Sequence, residues 1–143
     1  MPNGVQVDKA GRYAFIATAS KGGDVRKLDL ASGEVVGIAA IPNPDNASWS
    51  ADGRLLFAGV AAGPKPMACF ARPEAPCPVP SAVYALDVQT MAAGPIFTHA
   101  GSPLNAATVA VQAADDLLIG SCFGDSFVAV RHFFSHANRA DGG

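Results

Sequence analysis

The chain has 143 residues, 50% of them hydrophobic and 15% charged, with a formal net charge of −2. That is a globular composition, and it lacks the basic excess that nucleic-acid binding demands. No apolar run approaches the ~20 residues of a membrane span, and the opening "MPNGVQVDKAGR" has neither the basic nor the apolar region of a secretory signal, which leaves the compartment open.

Fifteen glycines and 11 prolines divide the chain into short apolar runs, none of which keeps a helical period over three turns. In chain order, "VQV", "YAFIATA", "DVRKLDL" and "EVVGIAAI" are of strand length and rich in β-branched or aromatic residues. The turn signals "KAG", "KGG" and "ASG" bound them. "DVRKLDL" alternates strictly, with Val25, Lys27 and Asp29 on one side and Arg26, Leu28 and Leu30 on the other. This predicts a half-exposed antiparallel strand. "PDNASW" and "LLFAGVA" follow, then a Pro-rich loop at residues 61–80, then "AVYALDV", "NAATVAV", "LLIGSC" and "FVAVR".

The unit repeats. "DKAGRYAFIATA" superposes on "SADGRLLFAGVA" at an offset of 42, which places Gly11 on Gly53 and Arg12 on Arg54. "AADDLLIGSC" is a third copy at a further 62, the longer interval being accounted for by the Pro-rich loop. "DVRKLDL" and "AVYALDV" share Val, two residues, then Leu-Asp. Four strands in about 40 residues is the spacing of a β-propeller blade. The expected fold is therefore all-β: a partial propeller of about three four-stranded antiparallel blades, near residues 1–42, 43–100 and 101–131. Residues 132–143 lose the pattern and are expected to form a frayed tail.

In this register Asn3, the pair Asp45 and Asn46, and Thr108 begin the same strand of three successive blades. First strands line a propeller's channel, so oxygen-bearing side chains at that level converge on one mouth. A hard cation such as Ca²⁺ takes 6–8 oxygen ligands, and a carboxylate with two amides is part of such a shell. Zinc and copper favour nitrogen and sulfur instead. A solvated turn is the competing reading, since Asn-Gly and Pro-Asp-Asn are common turn signals.

"PNGVQVDKAGRYAFIATA" followed by "PDNASWSADGRLLFAGVA" resembles the second half of a calcium-dependent six-bladed propeller hydrolase, over about residues 2–131. The relatives are the paraoxonase/arylesterase, gluconolactonase/senescence-marker-protein and strictosidine-synthase-like families. The resemblance implies that Asn3, Asp45 and Asn46 hold catalytic calcium, or another divalent cation, and that Thr108 lines the substrate pocket. It implies a small ester or lactone substrate, whose carbonyl the metal polarises for attack by water. "PDN" in place of the gluconolactonases' "PDG" leans toward the arylesterase and strictosidine-synthase-like branches.

The departures are substantial. A glutamate ligand, a further asparagine and a histidine pair, supplied by earlier blades in the relatives, have no counterpart here, so no catalytic residue is assigned. Met1 directly before Pro2 gives the expectation of a truncated or split frame. Bare terminal blades give the expectation of self-association, or of pairing with a missing N-terminal half. The alternative to a hydrolase is a non-catalytic propeller piece that serves as a binding module or is an inactive remnant.

Other residues have plainer roles. Trp49 is expected to pack in a core, Cys122 to be a core thiol and His99 to serve a turn. Cys69 and Cys77 flank "FARPEAP" and could be joined under oxidising conditions, and Glu74 in the same loop reads as a solvated charge. His132 and His136 are spaced to share a helix face, but no third ligand accompanies them.

Overall fold

Alternation and turn chemistry produce an all-β chain. The computed structural model describes residues 2–19, 22–61, 79–122 and 127–135. The Pro-rich loop with Cys69, Glu74 and Cys77, and the end of the tail with His136, lie outside the described residues.

The first sheet has the order β1 (Pro2–Val7), β2 (Tyr13–Thr18), β3 (Asp24–Asp29), β4 (Val35–Ala40). The second repeats it with β5 (Pro44–Trp49), β6 (Leu55–Val60), β7 (Ser81–Leu86) and β8 (Ala93–His99). The third has three strands, β9 (Ala107–Ala113), β10 (Asp116–Ser121) and β11 (Phe127–Val130). All pairings are antiparallel. These are three successive blades, the last without a fourth strand among the described residues.

The blades stack face to face. Phe15, Ala17, Val25, Ala39 and Ile41 of the first meet Ala47, Leu55, Phe57, Tyr84 and Leu86 of the second in one core. Leu56, Ala58, Val83 and Ala85, on the other side of the second blade, meet Ala107, Ala110, Leu117 and Ile119 of the third. Trp49 packs edge-on against Phe15, with ring centroids 6.0 Å apart, in the packing role expected of it. The strict alternation read in β3 is also present. Val25 is buried, and Lys27 on the same side crosses to the second blade, where its Nζ donates to the Val88 carbonyl at 2.8 Å.

The sequence superposition hides a one-residue slip. Val7 pairs with Ala14, Trp49 with Leu55 and Ala113 with Asp116, so the intervening turns span 6, 5 and 2 residues. A one-residue change of register turns each following side chain to the opposite face. Phe15 and Phe57, aligned in sequence, therefore enter the same core from opposite sides.

The first residues of the expected tail are described by the structure. Residues 133–135 form a helical turn, Phe134 is buried against the third blade, and its N–H donates to the Asp115 carbonyl at 3.0 Å. Two adjacent phenylalanines bury enough apolar area to hold this turn down. Cys122 departs from its expected place. It lies just after β10 and is exposed.

Candidate functional site

β1, β5 and β9 run side by side, each the innermost strand of its blade, and side chains of one reach the main chain of the next. Gln6 Nε2 donates to the Ala47 carbonyl at 2.7 Å, and Ser48 Oγ to the Ala110 carbonyl at 2.6 Å. At the turn end, the Ala51 N–H donates to Gln112 Oε1 at 2.9 Å. These bonds seam the inner strands together between separate sheets.

Each inner strand is irregular at the same level. Pro2 pairs with Thr18 and Val5 with Ile16, so Asn3 and Gly4 together oppose Ala17. Pro44 pairs with Gly59 and Ala47 with Phe57, so Asp45 and Asn46 together oppose Ala58. In β9, Ala107 pairs with Ser121 and Val109 with Gly120, which leaves Thr108 as the extra residue. All four candidate residues therefore sit on β-bulges, devices that re-aim side chains and recur beside functional sites.

The bulges bring the candidates together. The Asn3 side chain hydrogen-bonds the Asp45 carboxylate. Asn46 Nδ2 donates both to Asp45 Oδ1 and to the Thr108 carbonyl, each at 3.0 Å. Thr108 thus joins the cluster through its main-chain oxygen. Burial pushes the Asp45 carboxyl above the ordinary carboxylate range, against the bonds it accepts from the Asn3 side chain and the Asn46 N–H. Cys122 stands near enough to feel that charge. Desolvation of the sulfur, aided by the nearby Asp45 charge, raises its thiol pKa.

Two further residues shape this region, neither of which the residue pattern marks as part of a site. A Cβ on Gly4 would lie 2.6 Å from the Asp45 carbonyl oxygen and 2.7 Å from the Asn46 Cα, so the glycine of "PNG" lets β1 press onto β5. Asn105, just before β9, holds a buried Oδ1 with no hydrogen-bond partner. Its main-chain carbonyl accepts from Ser121 Oγ, and the next carbonyl, of Ala106, lies 3.9 Å from the Cys122 sulfur. This places Asn105 beside the same strand ends. "NAAT" resembles any loop before a strand, so nothing in the residue types announced it.

The donor set is oxygen-rich and nitrogen-poor. Among the described residues no three His, Cys, Asp or Glu side chains gather in a way that could hold a metal. Asp45 is the charged member of the cluster, and the others are amides and carbonyls. The described histidines, His99 and His132, lie elsewhere. His99 ends β8, stacks on Phe97 and accepts from the Gly101 N–H at 3.3 Å through Nδ1, the turn role expected of it. His132 is exposed after β11. A cleft of about 640 Å³ opens at the opposite end of the inner strands, lined by Gln6, Val7, Lys9, Trp49 and Ser50. No known family model matches the chain, and no curated protein is significantly similar to it.

Proposed function

We propose that the bulged ends of β1, β5 and β9 bind a hard divalent cation, Ca²⁺ above all, in the service of ester or lactone hydrolysis. The observation that carries this reading is the convergence of Asn3, Asp45 and Asn46 from two sheets onto one half-buried carboxylate. The residues fit such an ion in donor type. Asp45 supplies a carboxylate, and Asn3 and Asn46 supply amides that a half-turn of the CONH₂ group converts from donor to acceptor. Asn105 adds a buried amide oxygen that lacks a donor. Hard cations take this mixture of carboxylate and amide oxygens.

When bound, the cation would supply Lewis-acid polarisation of a substrate carbonyl. The chain's own residues perform the supporting work. Asp45 provides the compensating charge, Gly4 sets the spacing of β1 and β5, and the seam from Asn46 to Thr108 fixes β9 against β5. No imidazole of the described residues stands beside the cluster, so proton transfer would fall to water or to groups outside them.

The test is calorimetric titration with CaCl₂, together with phenyl acetate and lactone hydrolysis with and without chelator. One carboxylate predicts weak binding, with Kd on the order of 10⁻⁴–10⁻³ M. Asp45→Asn should abolish binding yet raise the thermal midpoint of the metal-free protein, because it removes a charge that burial disfavours. Calcium binding that persists in Asp45→Asn, or hydrolysis indifferent to chelator, would refute the proposal.

A further inference from the structure

The surface carries a pattern that the cation reading does not use. The large apolar side chains most exposed to solvent are Val5, Val7, Val35, Val36 and Ile38 of the first sheet, Leu30 in the turn after β3, and Val109, Val111 and Phe127 of the third. Among the described residues of the middle blade, which has a neighbour on each side, no large hydrophobic side chain is so exposed.

Register shows that these residues form faces. Val5 pairs with Ile16, Ile16 with Arg26 and Arg26 with Ile38, and directly paired residues share a side of the sheet. The next row joins Val7, Ala14, Leu28 and Val35. Phe15 and Val25 point the other way, into the core with the second blade. In the third blade, Val109, Gly120 and Phe127 form one row, and Val111, Leu118 and Ala129 the next. Ala110 and Ile119 point inward. The two bare faces thus lie at opposite ends of the stack, one before β1 and one beyond β9. Ile38 is 60% exposed and Phe127 67%, values far from those of a finished sheet interior.

We infer that a second copy of this chain covers both faces, the first blade of each copy seating on the third blade of the other. The contact continues the one the chain already makes twice, since each internal interface joins the far face of one blade to the near face of the next. A copy carries both complementary halves, so one partner can satisfy both faces at once. The electrostatics agree. The charges on the first face, Asp24 and Arg26, pair with each other at 3.2 Å, and Asp116 pairs with Arg131 at 2.5 Å in the third blade. Neither pair calls for an oppositely charged partner.

Closure follows from number. Propellers typically close with 4–8 blades. Two copies of three blades fall within that range, and one or three copies do not. A ring also removes the open ends that would otherwise polymerise head to tail. It would bring a second set of Asn3, Asp45 and Asn46 to the channel. The contact itself rests on the two faces and stands or falls separately from the cation reading.

Sedimentation and light scattering of the full chain at micromolar concentration test it. The expected mass is twice 14.5 kDa, without calcium and with chelator present. Ile38→Asp and Phe127→Asp should each weaken the dimer at least about tenfold, because an unpaired charge would be buried. Mixing these two variants should restore association, since one of the two contacts in the mixed pair is then intact. A monomeric parent chain overturns the inference. So does a dimer that survives Phe127→Asp, which would mean first face on first face, or an open series of oligomers.

Discussion

At Gly4 the backbone of β1 comes so close to β5 that a methyl group would collide with main-chain atoms at 2.6 and 2.7 Å. Neither atom can move without shifting the Asp45–Asn46 bulge. Gly4→Ala should therefore destabilise the protein by about 1–3 kcal/mol, as overpacking usually does, and should weaken the proposed cation binding along with it. Gly94→Ala is the control, because a Cβ there meets nothing within 4 Å. Its midpoint in urea should stay within about 0.5 kcal/mol of the parent. Equal costs at the two positions would mean that the close approach is not what Gly4 provides. Asn3, Asp45 and Asn46 were legible in the sequence because the repeat register puts them at one strand end. Gly4 was visible only as a turn signal, since a close approach between two sheets leaves no local mark.

At the scale of the element, the Leu-Asp repeat is turn chemistry. Asp29 Oδ1 accepts from the N–H groups of Ala31 and Ser32 at 2.9 and 3.3 Å, and Asp87 Oδ1 from those of Gln89 and Thr90 at 2.8 and 2.9 Å. Each turn closes on a residue with positive φ, Gly33 in one and Met91 in the other. Bonds from the Ala31 and Thr90 N–H groups, respectively foremost, hold both carboxyls below the ordinary range. In the hairpin between β5 and β6, burial of Asp52 opposes ionisation, but bonds from Arg54 and Ser50 bring its pKa down to about 2. The sign follows from the lowered folded values. Stability from these groups is complete above the unfolded carboxylate range of about 4 and is lost as pH falls through their lowered folded values, about 2 for Asp52. Thermal midpoints should decline over that window, and Asp29→Ala with Asp87→Ala should flatten the decline. An unchanged acid profile in the double variant would dissociate these turns from acid lability. Asp45 runs the other way, its raised pKa making ionisation a cost that acid relieves.

At the scale of the whole molecule, two blade-to-blade cores carry the fold, and Phe57 is fully buried in the first of them. Phe57→Ala should cost about 3–5 kcal/mol, read from denaturant midpoints, and a cost below about 1 kcal/mol would contradict the packing described. Composition, strand-length apolar runs and the repeat spacing determined the all-β class, the succession of blades and the level at which oxygen side chains gather. These features are local, or recur at fixed intervals, so a single chain displays them. Tertiary structure alone decided which face each side chain takes, because turns of 6, 5 and 2 residues shift the register between otherwise similar blades. It also decided the seating of Phe134, the exposure of Cys122 and the unpartnered oxygen of Asn105. Each of these depends on what lies across a gap between sheets, and the order of residues along one strand does not encode that.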